Sequence, residues 1–567
     1  MILGLSAVCA GPAPAAIYTW TPTAAGTFDW NDVSSNWTSG FPNAIADTAT
    51  FSATLTGAQT INLNQAITVG TLSLGGTSAS NAYTIAAGTG GALTLQVSSG
   101  SATVNATTTG NVISANLTLG SNATFSPSGG VVLEISGVIA GTRNLTRSGG
   151  GGTGNLYLSN SANTYTGSTT VGTGILSVAH LANGGVASSV GQSGNAAANL
   201  VISSGGNFIY SGASVASTDR LFTASGASAT IQNTGGGLNF TNTGAIAYGS
   251  TDAVRALTFG GTGAGSLAPA IGDNGAAAVS VIKSGVGTWT LSGANSYTGA
   301  TTVSAGTLRA GVATNAFGTN SAVTLANTST AVLSLDGFNN QIGSLAGGGA
   351  SGGNVSLGSA TLTAGGDNTS TTYAGVISGS GGFTKIGSGT QTLSRASSYT
   401  GATRVDAGTL LLGATGSLAG ASALVIANGA VFDVSAKSAY ALGGGGTTIG
   451  VGSSTAGFIN AGSAAMTFGN ALTLNFSSPT LAASYDLFDF GSQSGNLGSI
   501  ILTGSITGSL LLTSADTWTG SAGDYDFNFS EVSGILSVTS SNIPEPSSYA
   551  LLLAGLTFAG TVLRRRR

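Results

Sequence analysis

Short runs of alternating apolar and polar residues recur along the whole chain, separated by Gly, Asn and Ser. In TWTL (288–291), Trp289 and Leu291 share one face of an extended strand, and the two threonines share the other. The segments ATTV (300–303) and TLRA (307–310) repeat this alternation after short turns. A period of two, interrupted by turn-forming residues, is typical of an all-β protein.

Three longer stretches of the chain align with one another, and each contains the triplet Tyr-Thr-Gly. These blocks are GTGNLYLSNSANTYTGSTTVGTGILSVA (152–179), GVGTWTLSGANSYTGATTVSAGTLRAG (285–311) and GSGTQTLSRASSYTGATRVDAGTLLLG (387–413). Each block holds three short strands within about 22 residues, which is the length of one rung of a three-faced β-solenoid. A single rung cannot bury its own apolar face, so we expect the rungs to stack in parallel.

The composition suits such a stack, because only 6% of the residues are charged while 93 of 567 are Gly. Equivalent residues of successive rungs lie about 4.8 Å apart. Two like charges at that distance repel by about 3 kcal/mol at an effective dielectric constant of 20. Ladders of Thr, Ser and Asn avoid this repulsion and form hydrogen bonds along the stack.

The charge balance excludes one class of partner. Without the four terminal arginines (Arg564–Arg567), the body carries 10 basic and 18 acidic residues, a net charge of −8. Proteins that bind nucleic acid neutralise its phosphates with clustered Lys and Arg. We therefore expect no nucleic-acid partner.

The three aligned blocks resemble the autotransporter-associated β-strand repeat, also called the passenger-associated transport repeat. The similarity continues through residues 333–390 and covers about 130–415. It implies a long right-handed parallel β-helix in a secreted, surface-displayed protein. It implies no defined ligand, no cofactor and no catalytic residue.

The N-terminal segment MILGLSAVCAGPAPAA (1–16) has an apolar run followed by small residues, which predicts a signal peptide. A lipoprotein modified at Cys9 is the alternative. Three of the five tryptophans follow within residues 17–60, and we interpret this segment as a cap on the first rung. The prediction for the remainder is a β-helix over 61–480 and a closing β cap over 481–542.

The C-terminal segment IPEPSSYALLLAGLTFAGTVLRRRR (543–567) joins three features. Pro544, Glu545 and Pro546 predict an extended backbone that a protease can reach. Residues 549–563 are uncharged and predict a short transmembrane helix of about 22 Å. A terminal cluster of cations resists translocation and is expected to stay in the cytoplasm. The residues of this cluster are Arg564, Arg565, Arg566 and Arg567.

This arrangement resembles the PEP-CTERM sorting signal. The resemblance implies processing by an exosortase, a membrane cysteine protease or transpeptidase, near Pro544–Pro546. It also implies a Gram-negative, often biofilm-forming producer, transient anchoring in the inner membrane, and release to the cell surface or extracellular matrix. An ordinary tail anchor that is never cut is the alternative.

Paired carboxylates and the single histidine are the candidates for catalytic chemistry. The closest pairs are Asp29/Asp32, Asp486/Asp489 and Asp524/Asp526, and the histidine is His180. Asp524 and Asp526 are expected to share a strand face about 7 Å apart. No basic residue or histidine lies near them, so we interpret them as solvated residues of the C-terminal cap. One histidine supplies neither a triad nor a His-based metal site, and we expect no cofactor.

The sequence thus predicts a secreted, exosortase-sorted β-helix protein with a structural or adhesive role at the cell surface or in the matrix. Extracellular polysaccharide or a biofilm surface is the expected contact, through the Thr, Ser and Asn faces. The alternative is a carbohydrate-active β-helix enzyme, either a polysaccharide lyase or a glycoside hydrolase.

Overall fold

The computed structural model describes residues 15–76, 81–149, 152–249, 255–419, 422–478 and 480–541. The chain divides into two compact units, Met1–Ala360 and Thr361–Arg567. Within the described ranges, helix is confined to a 3₁₀ turn at Ala197–Asn199.

The strands of the first unit are β1 (Ile17–Thr19), β2 (Gly26–Asp29), β3 (Thr48–Phe51), β4 (Gln59–Asn62), β5 (Ala66–Val69), β6 (Thr71–Leu74), β7 (Tyr83–Ala86), β8 (Ala92–Leu95), β9 (Ala102–Ala106), β10 (Asn111–Ile113), β11 (Leu117–Leu119), β12 (Ala123–Pro127), β13 (Val132–Ile135), β14 (Ile139–Gly141), β15 (Leu145–Arg147), β16 (Asn155–Leu158), β17 (Thr169–Val171), β18 (Gly174–Val178), β19 (Leu200–Ser203), β20 (Gly206–Tyr210), β21 (Val215–Thr218), β22 (Thr223–Ser225), β23 (Ser228–Asn233), β24 (Gly237–Phe240), β25 (Ala247–Tyr248), β26 (Arg255–Gly261), β27 (Gly265–Leu267), β28 (Val279–Lys283), β29 (Thr288–Leu291), β30 (Thr301–Val303), β31 (Thr307–Ala310), β32 (Val323–Leu325), β33 (Val332–Ser334), β34 (Asn340–Ile342), β35 (Leu345–Gly347) and β36 (Asn354–Ser356).

The strands of the second unit are β37 (Leu362–Ala364), β38 (Thr371–Tyr373), β39 (Ile377–Ser378), β40 (Phe383–Lys385), β41 (Thr390–Leu393), β42 (Thr403–Val405), β43 (Thr409–Leu412), β44 (Leu424–Ile426), β45 (Val431–Asp433), β46 (Ala439–Ala441), β47 (Thr447–Val451), β48 (Phe458–Asn460), β49 (Ala465–Thr467), β50 (Ala471–Phe476), β51 (Ser484–Asp486), β52 (Phe488–Asp489), β53 (Ser492–Ser494), β54 (Ser499–Gly504), β55 (Gly508–Ser514), β56 (Thr517–Ala522), β57 (Tyr525–Ser530) and β58 (Ile535–Ser540).

The first unit is a parallel β-solenoid, as the alternation predicts. Its N-terminal part has three faces, which the chain visits in turn. Sheet I contains β1-β3-β6-β9-β12-β15-β17-β19-β22-β25, sheet II contains β2-β4-β7-β10-β13-β16-β18-β20 and continues through the later rungs, and sheet III contains β5-β8-β11-β14. A fourth sheet, β21-β24-β27-β29-β31-β33-β36, forms a face of the later rungs.

The core of the solenoid consists of the apolar member of each alternating pair. In β6, Leu72 and Leu74 are buried, whereas the intervening Ser73 is partly exposed. Because every strand is parallel and in register with its neighbours, like side chains stack on like. Leu93 of β8, for example, lies beside Leu117 of β11. This repetition produces a continuous dry interior from strands of only two to seven residues.

The aligned blocks contain the three predicted strands, but they do not form one rung each. Strand β29 pairs directly with β31, so TWTL and TLRA lie on the same face of successive rungs. The blocks around β16 and β41 repeat this, since β16 pairs with β18 and β41 with β43. The third side of the rung is the Tyr-Thr-Gly loop, which is not a strand. The sequence predicts that the three strands of each block lie on three faces of one rung. This prediction is wrong, because the first and third strands of a block lie on the same face of successive rungs.

Aromatic side chains fill the N-terminal end of the first unit. Trp20, Trp30 and Trp37 are all buried, and each stacks against Phe51 with ring centroids 5.2–5.5 Å apart. The indole of Trp20 donates to Gln59 Oε1 at 2.8 Å. An antiparallel bridge between Trp20 and Trp37 crosses the start of the solenoid, where β1 pairs only with β3.

The second unit combines parallel rungs with an antiparallel sheet. Strands β38-β41-β43-β45-β48-β52 are parallel, and β54 through β58 continue the sheet that contains β50 in antiparallel order, with β51 beside β58. Phe527 and Phe529 of β57 face inwards, whereas Asp526 and Asn528 face solvent, as the alternation predicts. The buried Glu531 accepts hydrogen bonds from Trp518 Nε1 at 2.7 Å and from the Leu497 amide at 2.8 Å.

Two predicted segments lie wholly or largely outside the described residues. The first is the predicted signal peptide, of which residues 1–14, including Cys9, are not described. The second is the whole C-terminal segment 543–567, with its predicted helix 549–563. Among the residues that the structure does describe, none belongs to a helix with the length and apolarity needed to cross a bilayer.

Candidate functional site

The tyrosine of each Tyr-Thr-Gly triplet points into the core. Its hydroxyl forms a hydrogen bond with the threonine four residues later, at 2.7 Å for Tyr165 and Thr169, 2.8 Å for Tyr297 and Thr301, and 2.6 Å for Tyr399 and Thr403. Burial raises the pKa of all three tyrosines well above its usual range. The phenols therefore stay protonated. Each stabilises the side of the rung that has no strand through its buried hydrogen bond to threonine.

The glycine of each triplet lies against the backbone of the rung before it. A Cβ at Gly167 would overlap the carbonyl oxygen of Arg143, and one at Gly299 would overlap that of Val279. Gly401 meets the backbone of Gly381 in the same way. The triplet is thus explained by packing: the tyrosine fills the core, and the glycine allows the loop to approach the rung beneath it.

A buried cation lies shortly before each block, at the end of the strand that precedes it. The three residues are Arg147, Lys283 and Lys385, each at most 1% exposed. Lys283 Nζ donates to the carbonyl oxygens of Ser284 and Gly285 at 2.7 Å, and of Ala305 at 3.0 Å. Since Ala305 belongs to the following rung, the ammonium joins the same corner of two successive rungs.

Lys385 repeats this arrangement in the second unit. Its Nζ donates to Ile386 at 2.6 Å, Gly387 at 2.8 Å and Ala407 at 3.2 Å, all through backbone carbonyls.

Arg147 makes the equivalent contacts in the first block. Its guanidinium donates to the carbonyls of Gly149 at 3.0 Å and Ile175 at 3.2 Å, and also to that of Gly154.

The electrostatics of these cations are set by burial. Burial lowers the pKa of Lys283 to about 8 and that of Arg147 to about 10. It also lowers the pKa of Lys385, although the carboxylate of Asp367 opposes the shift. At neutral pH Lys283 keeps its charge, and its three ammonium hydrogens all point at carbonyl oxygens. These cations hold the solenoid together and offer nothing to a ligand.

Sequence reasoning missed this cluster, although a signal was present. The basic residue stands at one position of LTRSG (145–149), VIKSG (281–285) and FTKIG (383–387) in a chain with only 14 Lys and Arg. A basic residue that recurs shortly before each block, in a chain with so few charges, indicates a structural role. Burial without a carboxylate partner is not visible in the sequence.

Both members of the first predicted carboxylate pair, Asp29 and Asp32, accept hydrogen bonds from polar side chains. Asp32 accepts hydrogen bonds from the hydroxyl of Ser34 at 2.6 Å and from its amide at 2.8 Å, and these bonds lower the pKa of Asp32. Asp29 accepts a hydrogen bond from Asn64 Nδ2 at 2.7 Å. Both carboxylates are therefore occupied by neighbouring polar groups.

The other two pairs are solvent-exposed and differ in arrangement. Asp486 and Asp489 lie on successive strands, and burial together with the charge of Asp489 raises the pKa of Asp486. Asp526 lies on the outer face of β57, but Asp524 lies in the turn before it. The expectation that Asp524 and Asp526 share a strand face is wrong, because the β57 strand begins only at Tyr525.

A polar groove of about 410 Å³ lies on the outer face of the antiparallel sheet. Its side chains are short and uncharged except for Asp526, which accepts a hydrogen bond from the hydroxyl of Ser521 at 2.5 Å. The polar residues that line the groove are Thr519, Ser521, Asp526, Asn528, Ser537 and Thr539. Such a surface offers hydrogen bonds to a hydroxylated ligand, but its single carboxylate does not form an acid–base pair.

The predicted histidine lies in a loop. His180 is exposed directly after β18, and its backbone amide donates to Ser189 Oγ at 3.1 Å. Within the described ranges, no group of three or more His, Cys, Asp or Glu residues is placed to hold a metal ion.

The predicted sorting residues lie outside the described part of the chain. The motif residues are Pro544, Glu545 and Pro546, and the terminal cations are Arg564, Arg565, Arg566 and Arg567. The predicted roles of the motif in cleavage, and of the four arginines in cytoplasmic retention, therefore stay predictions.

Comparison with protein families matches the three structural blocks. Residues 151–178, 281–310 and 383–412 match the passenger-associated-transport-repeat, and residues 542–567 match the PEP-CTERM protein-sorting motif. The chain carries passenger-associated transport repeats and a PEP-CTERM sorting motif. The buried Tyr–Thr pair lies within all three matched repeats. Lys283 and Lys385 lie within the second and third matches, and Arg147 precedes the first.

A curated relative extends the similarity beyond the repeats. The chain is 41% identical over 251 residues to the adhesin BmaC autotransporter of Brucella suis biovar 1 (strain 1330). The aligned region is 43% of this chain but only 6% of the length of that relative. No solved structure matches the chain significantly.

Proposed function

We propose that this protein is exported, sorted through its PEP-CTERM motif, and displayed at the cell surface or in the matrix as a structural or adhesive β-solenoid. The proposal rests on one observation. The same chain contains a solenoid with passenger-associated transport repeats and a C-terminal sorting motif. The 41% identical relative is named an adhesin autotransporter, which supports an adhesive role. The solenoid supplies extended polar faces with few charges, as contact with a neutral surface requires.

The sorting step follows from the chemistry of the motif. In this proposal, the apolar segment 549–563 enters the inner membrane transiently, and Arg564–Arg567 remain in the cytoplasm. An exosortase then cleaves near Pro544, Glu545 and Pro546, where proline keeps the backbone extended. The solenoid is released to the surface.

Substitution of the motif tests this step. Glu545→Ala, and separately alanine at all four positions of Arg564–Arg567, are expected to leave a larger, unprocessed protein in the membrane fraction. Asp524→Ala is the matched control, because it removes an exposed carboxylate outside the motif and is expected to be processed normally. An unchanged mass and location for both motif variants would refute exosortase sorting.

The adhesive role is tested separately from sorting. Cells that lack the protein are expected to attach less to abiotic surfaces and to exopolysaccharide-coated surfaces than cells with the wild-type chain. Equal attachment by both would contradict an adhesive role.

A non-enzymatic role is part of the proposal. The supporting observation is that Asp29 and Asp32 accept hydrogen bonds from neighbouring polar groups, and that Asp524 and Asp526 do not share a strand face. The purified chain is expected to release no reducing ends or unsaturated products from a panel of polysaccharides. Depolymerisation that is lost in Asp526→Asn would instead favour a carbohydrate-active enzyme.

A further inference from the structure

Threonine occupies one outward-facing position of six consecutive strands in sheet I. We call these residues the threonine ladder, and they are paired in register along β3, β6, β9, β12, β15 and β17: Thr48, Thr71, Thr103, Thr124, Thr146 and Thr170. Val201 of β19 ends the run. Two residues further along the first four of these strands, a second polar column contains Thr50, Ser73, Asn105 and Ser126.

The ladder is a periodic surface. Adjacent rungs are about 4.8 Å apart and residues two apart in a strand about 7 Å apart, so the ladder is about 24 Å long beside its second column. Neither column contains a charged side chain. The β-branched threonines have restricted χ1 angles, so their hydroxyls lose little freedom when a partner binds.

Part of the ladder has hydroxyls with no hydrogen-bond partner among the described residues. Thr71 and Thr103 share a hydrogen bond of 3.1 Å. For Thr124, Thr146 and Thr170, no hydrogen bond of the hydroxyl to another described residue is present. All three are partly exposed. Three hydroxyls in register are therefore available to donate to and accept from an external group.

Strand propensity alone does not account for this run. In sheet III the corresponding outward column is Thr68, Thr94 and Thr118, and it ends at Ala140. In sheet II a run of three threonines gives way to Val112 and then Glu134. Threonine favours strands on every face, but the run of six in sheet I is twice as long as the runs in sheets II and III, which indicates a requirement of that surface.

We propose that the threonine ladder binds an uncharged polysaccharide in extended, ordered form. The inference rests on the proposed adhesive function and names the surface and ligand class for it. An extended polysaccharide repeats its hydroxyl groups once per sugar unit, at a rise close to the rung spacing, so several hydrogen bonds form together. Each hydrogen bond is weak, and their number supplies the avidity. The absence of charge in both columns matches a neutral partner.

The second column favours a sugar over other ordered partners. It varies among Thr, Ser and Asn, which share the ability to donate and accept hydrogen bonds but not the methyl group. A partner recognised by a lattice of methyl groups, such as ice, would require threonine in both columns.

The test uses the full-length chain and microcrystalline cellulose as the probe. The variant Thr124→Val/Thr146→Val/Thr170→Val keeps side-chain shape and strand propensity and removes three hydroxyls that have no partner in the fold. The matched control, Thr68→Val/Thr94→Val/Thr118→Val, makes the same changes on sheet III. Wild type and control are expected to bind cellulose equally, and the ladder variant at least tenfold more weakly, with circular dichroism spectra unchanged in all three.

The outcomes separate the ladder from the broader function. Equal binding by the ladder variant and wild type, equal loss in the control, or retention on ice but not cellulose would each overturn the ladder assignment. If wild type fails to bind cellulose while its cells still attach to surfaces, the inference falls and the proposed adhesive function stands. If attachment also fails, the proposed function falls as well.

Discussion

At the scale of single residues, three buried cations bind the backbone carbonyls of successive rungs. Lys283 and Lys385 each direct three ammonium hydrogens at backbone carbonyls from two rungs, and Arg147 does the same with its guanidinium. Desolvation of a charge is costly, and hydrogen bonds from charged donors are stronger than neutral ones. Each cation offsets this cost by donating to several corner carbonyls at once.

Lys283→Met tests this balance. Methionine has a similar volume but no donor, so the carbonyls of Ser284, Gly285 and Ala305 lose their partner. We expect the free energy of unfolding to fall by about 2 kcal/mol or more, measured by urea titration with tryptophan fluorescence.

Lys437→Met is the control for this substitution. Lys437 is partly exposed, and its ammonium donates to the Ala414 carbonyl at a long distance of 3.4 Å, so its loss should change stability by less than about 0.5 kcal/mol. A Lys283→Met protein as stable as wild type would mean that the desolvation cost of the ammonium equals the value of its hydrogen bonds.

At the scale of elements, what distinguishes the repeat is its Tyr-Thr-Gly loop and the corner beside it, in addition to its short strands. Each block places the Tyr-Thr-Gly loop where a third strand would otherwise lie. The Tyr–Thr hydrogen bond closes this side, and the glycine rests on the rung beneath. The loop also forms backbone hydrogen bonds along the stack: the Thr166 amide donates to the Gly141 carbonyl at 3.0 Å, and the Gln192 amide donates to the Tyr165 carbonyl at 2.8 Å.

Gly167→Ala is expected to destabilise the first unit, because the added methyl group overlaps the carbonyl of Arg143 and the loop must move away. The expected cost is about 1–3 kcal/mol, read as a lower urea midpoint.

Gly152→Ala is the matched control within the same block. A Cβ there meets no atom within 4 Å, and fewer unfolded conformations make that change neutral or slightly stabilising. Equal midpoints for the two alanine variants would show that the close approach at Gly167 is not required.

At the scale of the whole molecule, the surface ion pairs of the described residues contribute little to stability. The ion pairs Arg309–Asp336 at 3.7 Å and Arg404–Asp406 at 2.9 Å are both solvent-exposed and contribute little. The net charge of −4 and the isoelectric point near 4.8 leave the surface weakly acidic. Interactions with neutral partners therefore depend on shape and hydrogen bonding.

The charge balance predicts that the protein does not bind polyanions. The full chain is expected to pass unretained through a heparin column at low ionic strength, where a basic protein of similar size is held. Retention that depends on the solenoid, and survives alanine at all four positions of Arg564–Arg567, would contradict the exclusion of nucleic acid and other polyanionic partners.

The sequence by itself determined the all-β class, the stacking of short strands and the two motifs. These features can be predicted because each depends on residues close together in the chain: the alternation of apolar and polar residues, glycine at turns, and the scarcity of charge. Even the inward direction of Phe527 and Phe529 followed from alternation alone.

Only the tertiary structure decided which residues stack on which. Rungs of unequal length bring Thr71 beside Thr103 but Thr103 beside Thr124, at spacings of 32 and 21 residues, so the threonine ladder has no fixed period in the sequence. Likewise, a lysine in VIKSG resembles any surface cation until the next rung supplies the carbonyl of Ala305. Contacts between rungs depend on register, and register is set by the lengths of all the loops between them.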